Sequence, residues 1–154
     1  MSVSNLLQAE PATRLRFSIP IIPRGQARAR HAITKSGLSM TYKSADQRQA
    51  EQNLCALLLP FRPEKPLEGP LTLRVFAYLP IPASWSQKKK QEAVTRRLRP
   101  IGKPDLDNLV KHMKDCLTQV GFWRDDKQVV QLFAIKCYST IPGWEIELTK
   151  EAEK

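Results

Sequence analysis

The sequence predicts a single α/β (α+β) domain in which a small mixed β-sheet is packed with helices. Three observations lead there. At 154 residues the chain has material for one core and too little for two. Short runs rich in β-branched and aromatic residues, bounded by proline or glycine, alternate with longer stretches at helical spacing. Read in order, the elements are strand, hairpin, helix, strand, helix, helix, strand and strand, an order that suits helices laid on one sheet.

Residues 1–13 read as a flexible leader and residues 14–150 as the domain. RLRFSI (Arg14–Ile19) alternates basic and apolar residues, the period of a half-buried strand, and Pro20 and Pro23 end it. A basic loop follows, then a hairpin turning at Lys35-Ser36-Gly37. Ser44 is a suitable N-cap for a helix to about Leu59, with Ala50, Leu54, Leu57 and Leu58 on its apolar face and Pro60 as its stop. LTLRVFAYLPI (Leu71–Ile81) has the strongest strand character in the chain. A short helix capped by Ser84 or Ser86 carries Lys88, Lys89 and Lys90. VVQLFAIKCYS (Val129–Ser139) and GWEIELT (Gly143–Thr149) read as two closing strands joined by a turn at Ile141-Pro142-Gly143.

The chemistry concentrates in KPDLDNLVKHMKDCLTQVGFWRDD (residues 103–126). Pro104 disfavours helix at Lys103, so the start of this stretch is extended and Asp105 and Asp107 point the same way. A helix then begins, with Leu106, Leu109, Val110, Met113, Cys116 and Leu117 as its apolar stripe. Asp107, Lys111, Lys114 and Asp115 fall on the other face. Lys111 lies one turn beyond Asp107, and Gly121 ends the helix. Asp125 and Asp126 stand just before an apolar strand, whose mouth can return them to the first pair. Carboxylates gathered this way repel one another. A hard divalent cation resolves the conflict and can also polarise a phosphate. Each residue also has a plainer use: Asp105 or Asp107 as a helix cap, Asp125-Asp126 as a turn, Lys111 and Asp115 as a surface pair, Phe122 and Trp123 as core.

Charge points to a polyanion. The net charge is +10, and it is unevenly spread: +11 over residues 1–100 and −1 over residues 101–154. Phosphate contacts by lysine and arginine release counterions, so Arg24, Arg28, Arg30, Lys35, Lys88, Lys89, Lys90 and Lys103 are candidate DNA-binding residues; the plainer readings are a basic protein that is merely soluble and a solvated helix face at Lys88–Lys90. The three cysteines form no metal-binding spacing and are expected to be reduced. No apolar run is long enough for a membrane span and no secretory signal is seen, so a cytoplasmic location is expected.

The motifs KPDLDN (Lys103–Asn108), LVK-x-x-x-DCL (Leu109–Leu117) and W-x-DD-x-QVV (Trp123–Val130) resemble the RusA-type Holliday junction resolvases, as do PASWSQKKK (Pro82–Lys90) and the PRGQARAR loop. The resemblance implies a RusA-like fold and a homodimeric, Mg²⁺-dependent endonuclease, with Mn²⁺ as a substitute. Such an enzyme resolves four-way DNA junctions by paired symmetric nicks in recombination and repair. It implies metal-binding carboxylates at Asp105, Asp107 and Asp126 and an essential lysine at Lys111, with Asp125 ranked lower. It further implies a bacterial setting, often phage or prophage; no obligatory protein partner is inferred. Two readings stand beside it: a non-catalytic basic DNA-binding protein, and a metal nuclease acting on other branched DNA or on RNA.

Overall fold

The computed structural model describes residues 12–27 and 30–152. Most of the expected leader, residues 1–11, therefore lies outside the described residues, as does Arg28. The fold is α+β. Strand β1 (Thr13–Ile19) starts one residue before the expected boundary. Strands β2 (Arg30–Ile33) and β3 (Ser39–Tyr42) form a separate two-stranded hairpin. Its turn is closed by Gly37 N–H donating to the Thr34 carbonyl at 2.8 Å.

Helix α1 (Ala45–Leu58) opens on Ser44, whose hydroxyl accepts from the Gln47 N–H, and passes at Pro60 into a single 3₁₀ turn, Leu59–Phe61. Strand β4 spans Leu71–Pro80. Helix α2 (Gln87–Val94) is capped by Ser86, not Ser84. Helix α3 (Leu106–Val120) ends where Gly121 takes the left-handed conformation, φ 95°, and donates its N–H back to Leu117 and Thr118. A side chain there would be strained. Strands β5 (Val129–Ser139) and β6 (Gly143–Lys150) complete the chain.

The four-stranded sheet has the order β1-β6-β4-β5. Strand β4 runs parallel to β5 and antiparallel to β6. The two closing strands expected from the sequence are joined by a short turn, but they are not neighbours: β4 lies between them. Proline at the end of β4 stops that strand where the connection must pass over it.

Alternation sets the two faces. Leu71, Leu73, Val75 and Ala77 of β4, with Trp144, Ile146 and Leu148 of β6, are buried against the helices. Leu54 and Leu58 of α1 and Leu109, Met113, Cys116 and Leu117 of α3 fill the other side of this core. On the opposite face the Tyr78 hydroxyl donates to Glu145 at 2.9 Å, and the Arg74 guanidinium sits 5.0 Å from the centroid of Phe133. Among the described residues, no helix is long and apolar enough to cross a membrane.

A polar layer crosses the seam between α1 and α3. Gln47, Glu51 and His112 are all buried. Lys43 donates to Glu51 at 2.8 Å, and the Gln47 amide reaches Glu51 at 3.2 Å and the His112 Nδ1 at 3.4 Å. Burial holds the His112 imidazole below its ordinary value of 6.5; Glu51 and Asp115 pull it upward, Arg24 and Lys43 downward. For Glu51 burial alone would raise the carboxyl, yet hydrogen bonds from Lys43 and Gln47 outweigh it and leave the group below 4.5.

Both shifts give stability that is present at neutral pH and lost on acidification. The unfolded His112 takes up a proton below its ordinary value while the folded one resists. The midpoint of urea unfolding should therefore fall as pH drops from about 7 to about 5. His112→Gln should flatten that limb and leave the loss below the Glu51 range in place. An unchanged slope would mean that His112 does not set it.

Candidate active site

Helix α3 positions the first group of candidate residues. Its apolar stripe faces the sheet, which turns the opposite side outward. Leu106 departs from the expected stripe: it is half-buried and lines a cavity instead of the core. That cavity, about 650 Å³, lies between the outward side of α3 and strand β5. Asp107, Lys111, Lys114, Asp115 and Asp126 line it, and Leu132 and Ala134 of β5 form an apolar wall. The structure thus brings Asp107, Lys111 and Asp126 to one place from two separate segments.

Asp126 arrives by way of a braced turn. Phe122 and Trp123 are core residues, fully enclosed, and the Trp123 indole N–H donates to the Thr118 hydroxyl at 2.7 Å. The Leu67 N–H donates to the Phe122 carbonyl, and the Gln128 amide donates to the carbonyls of Leu67 and Gly69. Asp125 caps the 3₁₀ turn Asp126–Gln128: its carboxylate accepts from the Lys127 N–H, and Gln128 completes a capping box. That backbone hydrogen bond holds the Asp125 carboxyl below its ordinary value. Asp125 is therefore the structural member of the pair, and it leaves Asp126 to the cavity.

Asp105 occupies the N-cap position of α3 but makes no capping hydrogen bond with its side chain. It is exposed and is not among the cavity's lining residues. Its loop is pinned from β5, where the Lys136 ammonium donates to the carbonyls of Gly102 at 2.7 Å and Pro104 at 2.9 Å. The Lys103–Pro104 peptide is cis.

The charge pairing differs from the simplest expectation. Lys111 is exposed and makes no ion pair among the described residues, with either Asp107 or Asp115. Lys114 instead reaches Asp126, at 3.8 Å. Asp115 accepts from the Gln26 amide at 2.7 Å, tying α3 to the basic loop. No three carboxylate, imidazole or thiolate groups among the described residues already converge on one metal position.

The basic candidates fall in three places. Arg30 and Lys35 lie on the hairpin and its turn, all exposed. Arg24 is exposed on the loop that docks on α3, and Lys103 on the loop before it. Lys88, Lys89 and Lys90 lie on α2, where Lys89 sits 4.1 Å over the Trp85 ring. Lys90 meets β5 near Ser139. That is about 16 Å along the strand from Ala134 at about 3.3 Å per residue, so these lysines stand well away from the cavity.

The family model described as Endodeoxyribonuclease RusA matches residues 20–149. The chain belongs to the RusA endodeoxyribonuclease family. It is also 36% identical over 134 residues to "Uncharacterized protein YqaN" of Bacillus subtilis (strain 168), covering 86% of this chain and 93% of that protein. Similarity to two named crossover junction endodeoxyribonucleases is shorter. For RusA of Escherichia coli (strain K12) it is 51% over 45 residues, and for rusA of Lactococcus phage r1t it is 42% over 48 residues. Those matches cover 29% and 31% of this chain, and 37% of each relative.

Sequence reasoning passed over Lys136 and the Gln26–Asp115 contact. The available signal for Lys136 was a cation inside an otherwise apolar strand. Lys136→Met should remove both hydrogen bonds to the loop and cost about 1–3 kcal/mol. Hydrogen exchange should quicken at the Leu109 amide, which donates to the Asp105 carbonyl at the end of that loop. Unchanged exchange there would show that Lys136 does not hold the loop.

Proposed function

We propose that this protein is a divalent-metal-dependent, structure-selective endodeoxyribonuclease that resolves four-way DNA junctions by paired symmetric nicks, acting as a homodimer in recombination and repair. The observation that carries the proposal is the meeting of Asp107 and Asp126, from segments nineteen positions apart in the chain, in one open cavity with Lys111, which makes no ion pair among the described residues. Family membership supplies the reaction class.

The donor set fits a hard cation in kind. Asp107 and Asp126 supply carboxylate oxygens, and Asp105 keeps an uncommitted carboxylate two residues before Asp107. Sulfur and imidazole are missing from the cavity lining, which suits Mg²⁺ or Mn²⁺ over zinc. Asp105, Asp107 and Asp126 are the residues that would hold it. Such an ion would polarise the scissile phosphate and lower the pKa of an attacking water. The chain's own residues do the rest. Lys111, which pairs with no carboxylate among the described residues, is available to the negative charge that grows on the phosphate oxygens during cleavage. Lys136 and Gln128 hold the two loops that carry Asp105 and Asp126. The apolar wall of Leu132 and Ala134 limits water on one side and strengthens charge interactions within the cavity.

Arg24, Arg28, Arg30, Lys35, Lys88, Lys89, Lys90 and Lys103 are proposed to contact phosphates. The described ones are spread over the hairpin, the docking loop, the loop before α3 and α2, which suits a branched substrate that offers backbone in several directions. Two opposed cuts need two sites, and a two-fold dimer supplies them.

The test is a labelled four-way junction and a linear duplex of the same arm sequence, each incubated with and without Mg²⁺ and run on a denaturing gel. Paired, Mg²⁺-dependent nicks on the junction alone are expected. Asp107→Asn and Lys111→Ala should each lower the cleavage rate by at least about a hundredfold while junction binding is kept. Binding without cleavage under Mg²⁺ or Mn²⁺ would favour a non-catalytic DNA-binding protein. Cleavage of flaps, forks or RNA in preference to junctions would keep the chemistry and replace the substrate.

A further inference from the structure

Strands β2 and β3 form a ribbon outside the main sheet, and every residue of both strands is exposed. A two-stranded ribbon on its own is marginally stable at best in water. This one also turns apolar side chains to solvent. Leu38, Met40 and Tyr42 alternate along the second strand and its entry, so they share a face. They are 67%, 53% and 44% exposed. Pairing sets Ala32 opposite Met40 and Arg30 opposite Tyr42, on that same face. His31, opposite Thr41, belongs to the other face.

We propose that this ribbon is a finger that enters the minor groove of a duplex arm beside the cut, with Leu38 and Met40 laid into the groove and Arg30 and Lys35 on the phosphates that flank it. The inference takes its partner, DNA, from the nuclease reading above and adds an interaction surface to it.

Three observations carry it. The first is charge. From Arg24 to Lys43 the sequence has Arg24, Arg28, Arg30, Lys35 and Lys43 and no acidic residue. Lys43 is committed to Glu51, but Arg30 and Lys35 make no ion pair among the described residues. An apolar strip framed by uncommitted cations is complementary to a groove bordered by phosphates. Two copies of the ribbon set face to face would bring cation against cation, which disfavours self-pairing.

The second is the chemistry of the face. Reading base edges in the major groove takes an array of donors and acceptors. Leucine, methionine and alanine provide none. Leucine and methionine are the side chains that wedge against base steps from the minor groove, where arginine is also drawn by the negative potential. From Tyr42 to Leu38 the strand advances about 13 Å at about 3.3 Å per residue, more than the groove depth of about 7.5 Å.

The third is position. The base of the ribbon is fastened on both sides. Before it, the Gln26 N–H donates to the Asn108 carbonyl at 3.3 Å and the Ala27 N–H to the Oε1 of the buried Gln47 at 2.8 Å. After it, Lys43 donates to Glu51 at 2.8 Å and Ser44 caps α1. His31, in the ribbon's first strand, lines a cavity of about 700 Å³ together with Lys111, and Lys111 also lines the carboxylate cavity. DNA held against Lys111 therefore continues to the foot of the ribbon.

The experiment measures binding of the full-length protein to a labelled four-way junction without divalent metal, by fluorescence anisotropy over a series of salt concentrations, with hydroxyl-radical footprinting of the same complex. Leu38→Ser/Met40→Ser should weaken binding by roughly tenfold with the salt slope unchanged, and should erase one block of minor-groove protection on an arm. Arg30→Gln/Lys35→Gln should lower the slope of log affinity against log salt by about two. All four residues are exposed, so both variants should melt near the unsubstituted temperature. Unchanged affinity and footprint in Leu38→Ser/Met40→Ser would overturn the inference. So would a shift of that variant from dimer to monomer in sedimentation, which would assign the face to a second copy of the chain. Adding Mg²⁺ separates the two readings. A junction that is gripped through Leu38 and Met40 but never cut would sink the nuclease reading and leave the finger standing. A junction that is cut, with binding indifferent to Leu38 and Met40, would do the reverse.

Discussion

The candidate site depends on the burial of one helix face. Leu109, Met113, Cys116 and Leu117 of α3 are enclosed against the sheet, and this fixes the rotation of the helix about its axis. Asp107, Lys111 and Asp115 recur at intervals of four on the opposite side. Once the stripe is buried, they must face the space beside β5. A polar residue in that stripe would turn the acidic and basic side chains away together, so packing and chemistry are set by the same interaction.

The second constraint is the entry into β5. Parallel pairing with β4 places the start of β5 beside the outward face of α3, and the braced turn before it delivers Asp126. The arrangement gathers carboxylates in an otherwise basic protein without a buried, unpaired charge. Lys114 stands beside Asp126, Asp115 takes the Gln26 amide, and Lys136 ties down the loop of Asp105. Polar contacts of this kind fix the segments that carry the carboxylates while leaving Asp107 and Lys111 open. The basic loop at Gly25–Ala27 is fastened to the same helix, so the cationic segment and the acidic cavity share one support.

What the sequence revealed follows from the range of each interaction. Helix α3, its stripe, its stop at Gly121 and the Ser44 cap are local, and side-chain spacing was enough to read them. The α+β class followed from the alternation of elements. The placement of β4 between β5 and β6 did not, because strand order is decided by contacts far apart in the chain. Asp125 and Asp126 are identical side chains at adjacent positions. Only the capping geometry separates the one that closes a turn from the one that lines the cavity. Phe122 and Trp123 were legible as candidate core residues, and both are buried there. The Lys114–Asp126 pair has no local signature, because the meeting of the two residues depends on the entry path of β5.

The central claim is that Asp107 of α3 and Asp126 before β5 belong to one cation-binding site. Electron paramagnetic resonance of Mn²⁺ titrated into the protein measures this without reference to cleavage. The account predicts that Asp107→Asn and Asp126→Asn each abolish the same tight Mn²⁺ population, and that the double variant loses nothing further. Full retention of Mn²⁺ binding in either single variant, with the fold intact, would contradict it.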